Sequence, residues 1–328
     1  MEPIILFSDF KKYLDQSAPD LYIVSEHTRD LINEKENILE VTRAEIQTLD
    51  KFLEKFQQKQ FKIVAIGAGS VVDAAKYVSF KTDSQFCFIP SALSTNSFAT
   101  HRNSFFDRQH GKISFDSSVA SEIIADFDLL EQPQVYTLNK FGIVEIAATV
   151  IAQLDCDISS KINKESFNTE LRERAQGLIL GAVKLLSQRT LTRSSLKLLL
   201  SCLLESGALT REQGNGRLVS GSEHIISSYI EEDTICPHGM GLLFGILITH
   251  ELHSNFGYRD KNADIIVEHL KNDTDMYKYI KSVTDHERLE HVLDRVLPRK
   301  DKFTILDITP RGQLLSVGRK IIKNYFHL

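Results

Sequence analysis

Three side chains far apart in the chain have the chemistry to hold a metal ion together: Glu145 in FGIVEIAATV, His224 in SGSEHIISSYIEE and His238 in CPHGMGLLFG. Two imidazoles and a carboxylate, with one position left for water or substrate, suit a divalent ion such as Zn²⁺ or Fe²⁺. Such an ion polarises a carbonyl or stabilises an alkoxide. The competing reading makes each histidine a satisfied core residue on an apolar helix. The chain has 11 histidines, and THELH offers a rival pair, His250 and His253, that reads more as a helix face than as a ligand set. A second feature is AIGAGSVVDAAK (65–76), where Gly67 and Gly69 permit a tight turn and close backbone approach to a phosphate. The helix that follows offers unsatisfied N–H groups and its positive end at Ser70–Val72. Val72 stands where G-x-G-x-x-G has its third glycine, so an ordinary strand-to-helix turn is the alternative. A third is EQGNGRLVSGSEH (212–224), in which Gly214, Gly216 and Gly221 surround Arg217. That guanidinium can grip a phosphate or carboxylate through paired N–H groups, or sit solvated on a surface loop.

The elements that must position these groups change character along the chain. DLYIVS (20–25), FKIVAIG (61–67) and FCFIPS (86–91) are short apolar runs, as buried strands are. RAEIQTLDKFLEKFQQ (43–58) places Ile46, Leu49, Phe52, Leu53 and Phe56 at helical spacing. A helix opens directly after Gly69. Strand, helix, strand, glycine turn, helix, strand is the order of a parallel sheet with crossover helices. From about residue 138 the segments are long, helix-periodic and free of strand-like alternation. The expectation is an α/β domain over 1–137 and an all-helical domain over 138–328, with ligands at their junction.

The 328 residues carry 39 Lys+Arg against 44 Asp+Glu, a net charge of −5. That balance argues against a nucleic-acid binder working by bulk charge, and leaves only a local basic patch for such a role. The four cysteines (Cys87, Cys156, Cys202, Cys236) form no C-x-x-C pair and suit a reducing compartment. No apolar run approaches the roughly 20 residues of a membrane span, and the N-terminus lacks a long apolar leader core. A soluble, cytoplasmic protein without nucleic-acid or membrane partners is expected. Cys236 stands two residues before His238, where a soft ligand would alter the metal site.

The ordered motifs resemble one superfamily. GAGSVVDAAK is similar to the GGGSVID…K turn of the iron-containing alcohol dehydrogenases and dehydroquinate synthases. PSALSTNSFAT (90–100) looks like the P-T-A-P-S-x-D-G-x-A-S segment of the sn-glycerol-1-phosphate dehydrogenase branch. GNGRLVSGSEH looks like its GSSRPASGSEH, PHGMGLLFG like its HGEQVGVG, and DKFTILD (301–307) like its R-x-R-Y-T-I-L-D. The resemblance implies a dehydroquinate synthase-like two-domain fold, with an N-terminal Rossmann-like domain that binds NAD or NADP and a helical metal-binding domain, and catalysis between them. Gly67, Gly69, Ser70 and Asp73 would belong to the cofactor turn. Glu26 in VSEHT would lie near the adenosine ribose, a mild preference for NAD, and Ser91 and Ser94 would line the cofactor site. Glu145, His224 and His238 would bind one Zn, Fe or Ni ion, and Arg217 the phosphate of a small substrate. Dimers are common in the superfamily.

Three departures bear on the reaction. Glu145 replaces the dehydrogenases' metal Asp, as in the synthases' G-M-A-E segment. Asn96 replaces the Asp of S-x-D-G at a catalytic position. HGMGLLFG lacks the Glu of HGEQ, and the synthases' D-S-S-V-G-G-K segment is absent. The leading expectation is a metal- and NAD(P)-dependent dehydrogenase of a small phosphorylated polyol or ketone. A sugar-phosphate cyclase and a degenerate, non-catalytic relative are the alternatives.

Overall fold

The computed structural model describes residues 3–33, 37–55, 60–109, 111–234 and 236–326. It divides into two compact units, Met1–Asn139 and Lys140–Leu328.

The first unit is built on a six-stranded, all-parallel sheet in the order β1-β8-β5-β4-β2-β3. Its strands are β1 (Ile4–Leu6), β2 (Leu21–Val24), β3 (Ile38–Glu40), β4 (Lys62–Gly67), β5 (Gln85–Pro90) and β8 (Glu122–Ile124). The apolar runs expected at 20–25, 61–67 and 86–91 are β2, β4 and β5, three of the four inner strands. Five consecutive residues of β4 are buried, because a parallel sheet covered on both faces removes the alternation seen in half-exposed strands. Val24, Val64, Ile66, Cys87, Ile89 and Ile124 pack with Phe10 and Ile32 in a core cluster, and each large aliphatic contributes about 1.5–3 kcal/mol of burial. β6 (Arg102–Asp107) and β7 (Gly111–Asp116) form a separate antiparallel hairpin. The helix expected over 43–58 is Ile46–Leu53; Phe56 lies outside the described residues.

Every described secondary-structure element of the second unit is a helix. Its long members are Thr149–Ile162, Thr169–Leu186, Arg193–Gln213, Ser222–Asp233, His238–Asn255 and Arg311–Phe326. Local chemistry sets their ends: Thr192 and Ser195 exchange hydrogen bonds at the start of Arg193–Gln213, and Gly214, at φ 76°, ends it in the left-handed region. No described helix is long and apolar enough to cross a membrane.

The Ser222–Asp233 and His238–Asn255 helices run antiparallel at unusually close range. A Cβ at Gly245 would lie 2.3 Å from the Glu223 carbonyl oxygen, and one at Gly241 2.5 Å from Ser227 Oγ. Glycine's missing side chain therefore sets the separation of the pair. Gly245→Ala gains up to about 1 kcal/mol of helix propensity but meets rigid backbone, and overpacking costs about 1–3 kcal/mol. The variant should melt below the parent in thermal or denaturant unfolding. Equal or higher stability would refute the close-packing account.

Candidate metal centre and cofactor turn

In the second unit, Glu145, His224 and His238 meet. Their ligand atoms all lie within 4.8 Å of one another, the one such His/Cys/Asp/Glu group among the described residues. His238 Nε2 is 3.1 Å from Glu145 Oε2, and His224 Nε2 is 3.9 Å from Glu145 Oε1. Ligands bound tetrahedrally at about 2.0–2.2 Å stand roughly 3.3 Å apart, so the observed spacings bracket that requirement. Glu145 is buried, whereas the histidine side chains are 18% and 25% exposed, leaving one side open. Glu145 Oε2 accepts no well-aligned hydrogen bond, although buried carboxylate oxygens are ordinarily paired.

Charge points the same way. Burial alone would push the Glu145 carboxyl up, but the facing imidazoles, His238 first, hold it well below the usual carboxylate range. Burial alone would push His238 down, yet Glu231 and Glu145 carry it up to about 10, and His224 is likewise raised against its burial. The pocket holds positive charge where the two Nε2 atoms face Glu145, a place that suits a proton or a cation. A divalent ion fits this donor set.

Two further carboxylates stand behind the histidines, and reading the sequence missed both. His224 Nδ1 is 2.7 Å from Glu223 Oε1, and His238 Nδ1 is 2.7 Å from Glu231 Oε1. The available signal was the stripe Glu223, Ser227, Glu231, spaced four residues apart on one helix face. The rival histidines go elsewhere: His250 pairs with Asp264 at 2.9 Å, and His253 is fully buried beside Asp155. Cys236 Sγ accepts from Thr234 Oγ1 at 3.0 Å and is outside the three-residue group.

Arg217 is placed differently from the expectation of a free anion grip. It is 5% exposed, and its Nε and Nη2 donate to Glu165 at 3.2 and 2.8 Å, while Nη2 also donates to the Phe303 carbonyl at 2.8 Å. Nη1 is its buried nitrogen without a hydrogen-bond partner. Nearby, Lys302 Nζ donates to the Ser220 carbonyl at 2.9 Å, and burial, opposed by Glu223, brings its ammonium down to about 8.

The first unit brings the remaining candidates to the carboxyl ends of β2, β4 and β5, where ligands of open parallel sheets bind. Gly67 ends β4, and a Cβ there would strike Val71 Cγ2 at 2.5 Å. The Gly69–Thr82 helix starts without a side-chain cap, so its first N–H groups are available to an anion. Ser91 N donates to the Gly67 carbonyl at 2.8 Å. Leu93 N donates to Asn139 Oδ1 at 2.8 Å, which fixes the turn bearing Ser91 and Ser94. Glu26 is exposed in the short Glu26–Leu31 helix after β2, tied to β4 by Thr28 Oγ1 donating to the Ile66 carbonyl at 2.7 Å. Asp73 faces inward and accepts from Ser97 Oγ. The buried Lys76 ammonium donates to the Ser97 and Arg102 carbonyls at 3.0 and 2.6 Å. These two side chains brace the segment that carries Asn96.

Comparison with known proteins bears on the family and the fold. Residues 21–133 match the family model of iron-containing alcohol dehydrogenases. The chain is 25% identical over 311 residues to a Methanosarcina mazei protein named glycerol-1-phosphate dehydrogenase [NAD(P)+], covering 92% of this chain and 82% of that protein. Its fold is that of an iron-containing alcohol dehydrogenase from Thermococcus thioreducens (TM-score 0.67, 14% identity, 98% and 99% covered) and of one from Thermotoga maritima (TM-score 0.65, 12% identity, 98% of each covered).

Asp155 binds the site's supports together. Its Oδ2 accepts from Ser222 N at 2.6 Å and its Oδ1 from Ile305 N at 2.8 Å. Burial would raise its carboxyl, but His253 and these N–H groups hold it below its ordinary 3.8. A depressed folded pKa means that its stabilisation is fully present above the unfolded value and is lost as pH falls through the folded one. Asp155→Asn should cost about 1–3 kcal/mol at neutral pH. The gap to the parent should narrow below about pH 4. Denaturant titrations at neutral and acid pH measure it, and a gap independent of pH would contradict the ionised-carboxylate role.

Proposed function

From the premise that the chain belongs to the iron-containing alcohol dehydrogenase superfamily, we propose that it is a metal- and nicotinamide-dependent dehydrogenase acting on a small phosphorylated polyol or ketone. The observation that carries this reading is the Glu145–His224–His238 cluster, in a chain whose other unit presents a glycine turn at the carboxyl ends of parallel strands. Glu145, His224 and His238 would hold one divalent ion, with zinc, iron and nickel all compatible with two imidazoles and a carboxylate. When bound, such an ion supplies Lewis acidity at a substrate oxygen.

The chain's own groups account for the rest. Glu145 brings a negative charge held ionised by the imidazoles, so the carboxylate is ready to accept a cation, and any proton on the Nε2 atoms of His224 and His238 would leave as the ion enters. The N–H groups at Gly69 and Ser70 would meet the cofactor pyrophosphate, with Gly67 allowing close approach. Glu26, exposed beyond β2, would accept from ribose hydroxyls and disfavour a 2′-phosphate, which supports NAD over NADP. Ser91 and Ser94, on the turn after β5, would line the same cofactor. Arg217 Nη1 and Lys302 offer positive charge to the substrate's phosphate, with Glu165 competing for the guanidinium. Asn96 would position substrate without carrying charge. Cysteines in the thiol form, three of them buried, support a cytoplasmic setting.

The enzyme supplied with metal, NAD⁺ or NADP⁺ and glycerol 1-phosphate should reduce the nicotinamide stoichiometrically with turnover. Release of inorganic phosphate without net nicotinamide reduction would indicate a cyclase instead, consistent with Glu145. Tight metal and cofactor binding without turnover on any polyol or ketone phosphate would mark a binding protein. His238→Ala should lose bound metal and turnover together. Parent-level metal content in that variant would remove His238 from the ligand set.

A further inference from the structure

The stripe behind the histidines is part of a ladder between two helices. Glu223, Ser227 and Glu231 recur every four residues on the Ser222–Asp233 helix. Across from them, the antiparallel His238–Asn255 helix presents Gly245 to Glu223 and Gly241 to Ser227, and His238 meets Glu231. The two glycines admit the Glu223 backbone and Ser227 at close range, and the two buried carboxylates of the same helix stand beside the imidazoles.

We propose that Glu223 and Glu231 are positioning residues that set how tightly the site holds its ion, by fixing which ring nitrogen of His224 and His238 faces Glu145. The inference rests on the reading of Glu145, His224 and His238 as ligands. A neutral imidazole carries one proton on either of two nitrogens, and only the other nitrogen can bind a cation. An ionised carboxylate accepts and cannot donate, so the nitrogen facing it is the one that bears hydrogen. Glu223 and Glu231 each face an Nδ1 at 2.7 Å. In the neutral ring the lone pair is thereby left on Nε2, the nitrogen that faces Glu145.

Neither carboxylate is free to swing away. Glu223 Oε1 also accepts from Gly221 N at 2.7 Å, and Glu231 Oε1 also accepts from Ser227 Oγ at 2.7 Å. Glu223 is 0% and Glu231 8% exposed, so water does not compete for these oxygens. The carboxylate behind each ring also makes its far nitrogen more basic, which strengthens its bond to a cation. A single helix thus provides one ligand and the anchors of two.

The test uses the full chain stripped of metal and titrated with Zn²⁺ against a chromophoric chelator, and with Co²⁺ to read its ligand-field spectrum. Glu231→Gln and Glu223→Gln preserve size and an acceptor oxygen but remove the charge. Each should weaken Zn²⁺ binding about 10–100-fold and alter the Co²⁺ spectrum, while the metal-free proteins melt close to the metal-free parent. Ser227→Ala, which only releases one hold on Glu231, should weaken binding by a smaller factor and serves if a Gln variant fails to fold. Parent-level Zn²⁺ affinity in the folded variants, with a parent that binds the ion, overturns the positioning role alone. A parent that takes up neither ion overturns the ligand assignment and this inference with it.

Discussion

The second unit depends on one buried carboxylate. Asp155 lies on the Thr149–Ile162 helix with no solvent exposure and receives the backbone N–H groups of Ser222 and Ile305. Ser222 opens the helix that carries Glu223, His224 and Glu231, and Ile305 opens the short Ile305–Ile308 turn. A helix start has orphan donors and a positive end, and a carboxylate answers both at once. Hydrogen bonds to charged groups are worth about 1.5–3 kcal/mol each, comparable to burying a large aliphatic side chain. His253 Nε2, 3.2 Å from Asp155 Oδ1, supplies a third contact from the His238–Asn255 helix. The elements bearing two of the three proposed ligands therefore converge on a residue that is not itself a ligand.

The same economy of backbone donors appears in the first unit by different means. There the sheet's hydrogen bonds hold β2, β4 and β5 in register, and short polar contacts set the turns beyond their ends. Thr28 reaches the Ile66 carbonyl, Ser91 the Gly67 carbonyl, and Lys76 two carbonyls of the Ser97–Arg102 segment. Burying an ammonium is costly unless its donors are filled. Lys76 is therefore evidence that the loop it grips has one conformation. Burial, only partly offset by Asp73, takes this group down to about 8.

How much of this was legible in the sequence follows from the range of each interaction. The inner strands β2, β4 and β5, unlike the inner β8, announce themselves because each is a continuous apolar run. The three-residue strands β1, β3 and β8 are too short to show a period, and only pairing in the sheet makes them strands. The glycine turn was readable, since a strand, two glycines and a helix start are adjacent in the chain. Glu145, His224 and His238 were readable as a set by chemistry and by motif order, not by spacing. Asp155 was not, because its partners lie 67 and 150 residues away and nothing local marks a carboxylate as a cap for distant helices. Arg217 shows another limit of range. Its glycine-rich setting left both an anion grip and a solvated surface Arg open, and Glu165, 52 residues earlier, which pairs with the guanidinium, has no local mark.

The helix ladder makes the site intolerant of changes in length. Successive residues of an α-helix turn by about 100°, so one residue inserted between Glu223 and Glu231, or between His238 and Gly245, would swing part of its face away from its partners. A side chain would then stand where a glycine now admits the neighbouring backbone, and a carboxylate would lose its imidazole. Related chains that keep this centre should therefore vary in residue identity on the outer faces of both helices while preserving the two four-residue rhythms. The count of residues, more than their type, is what evolution cannot easily alter here.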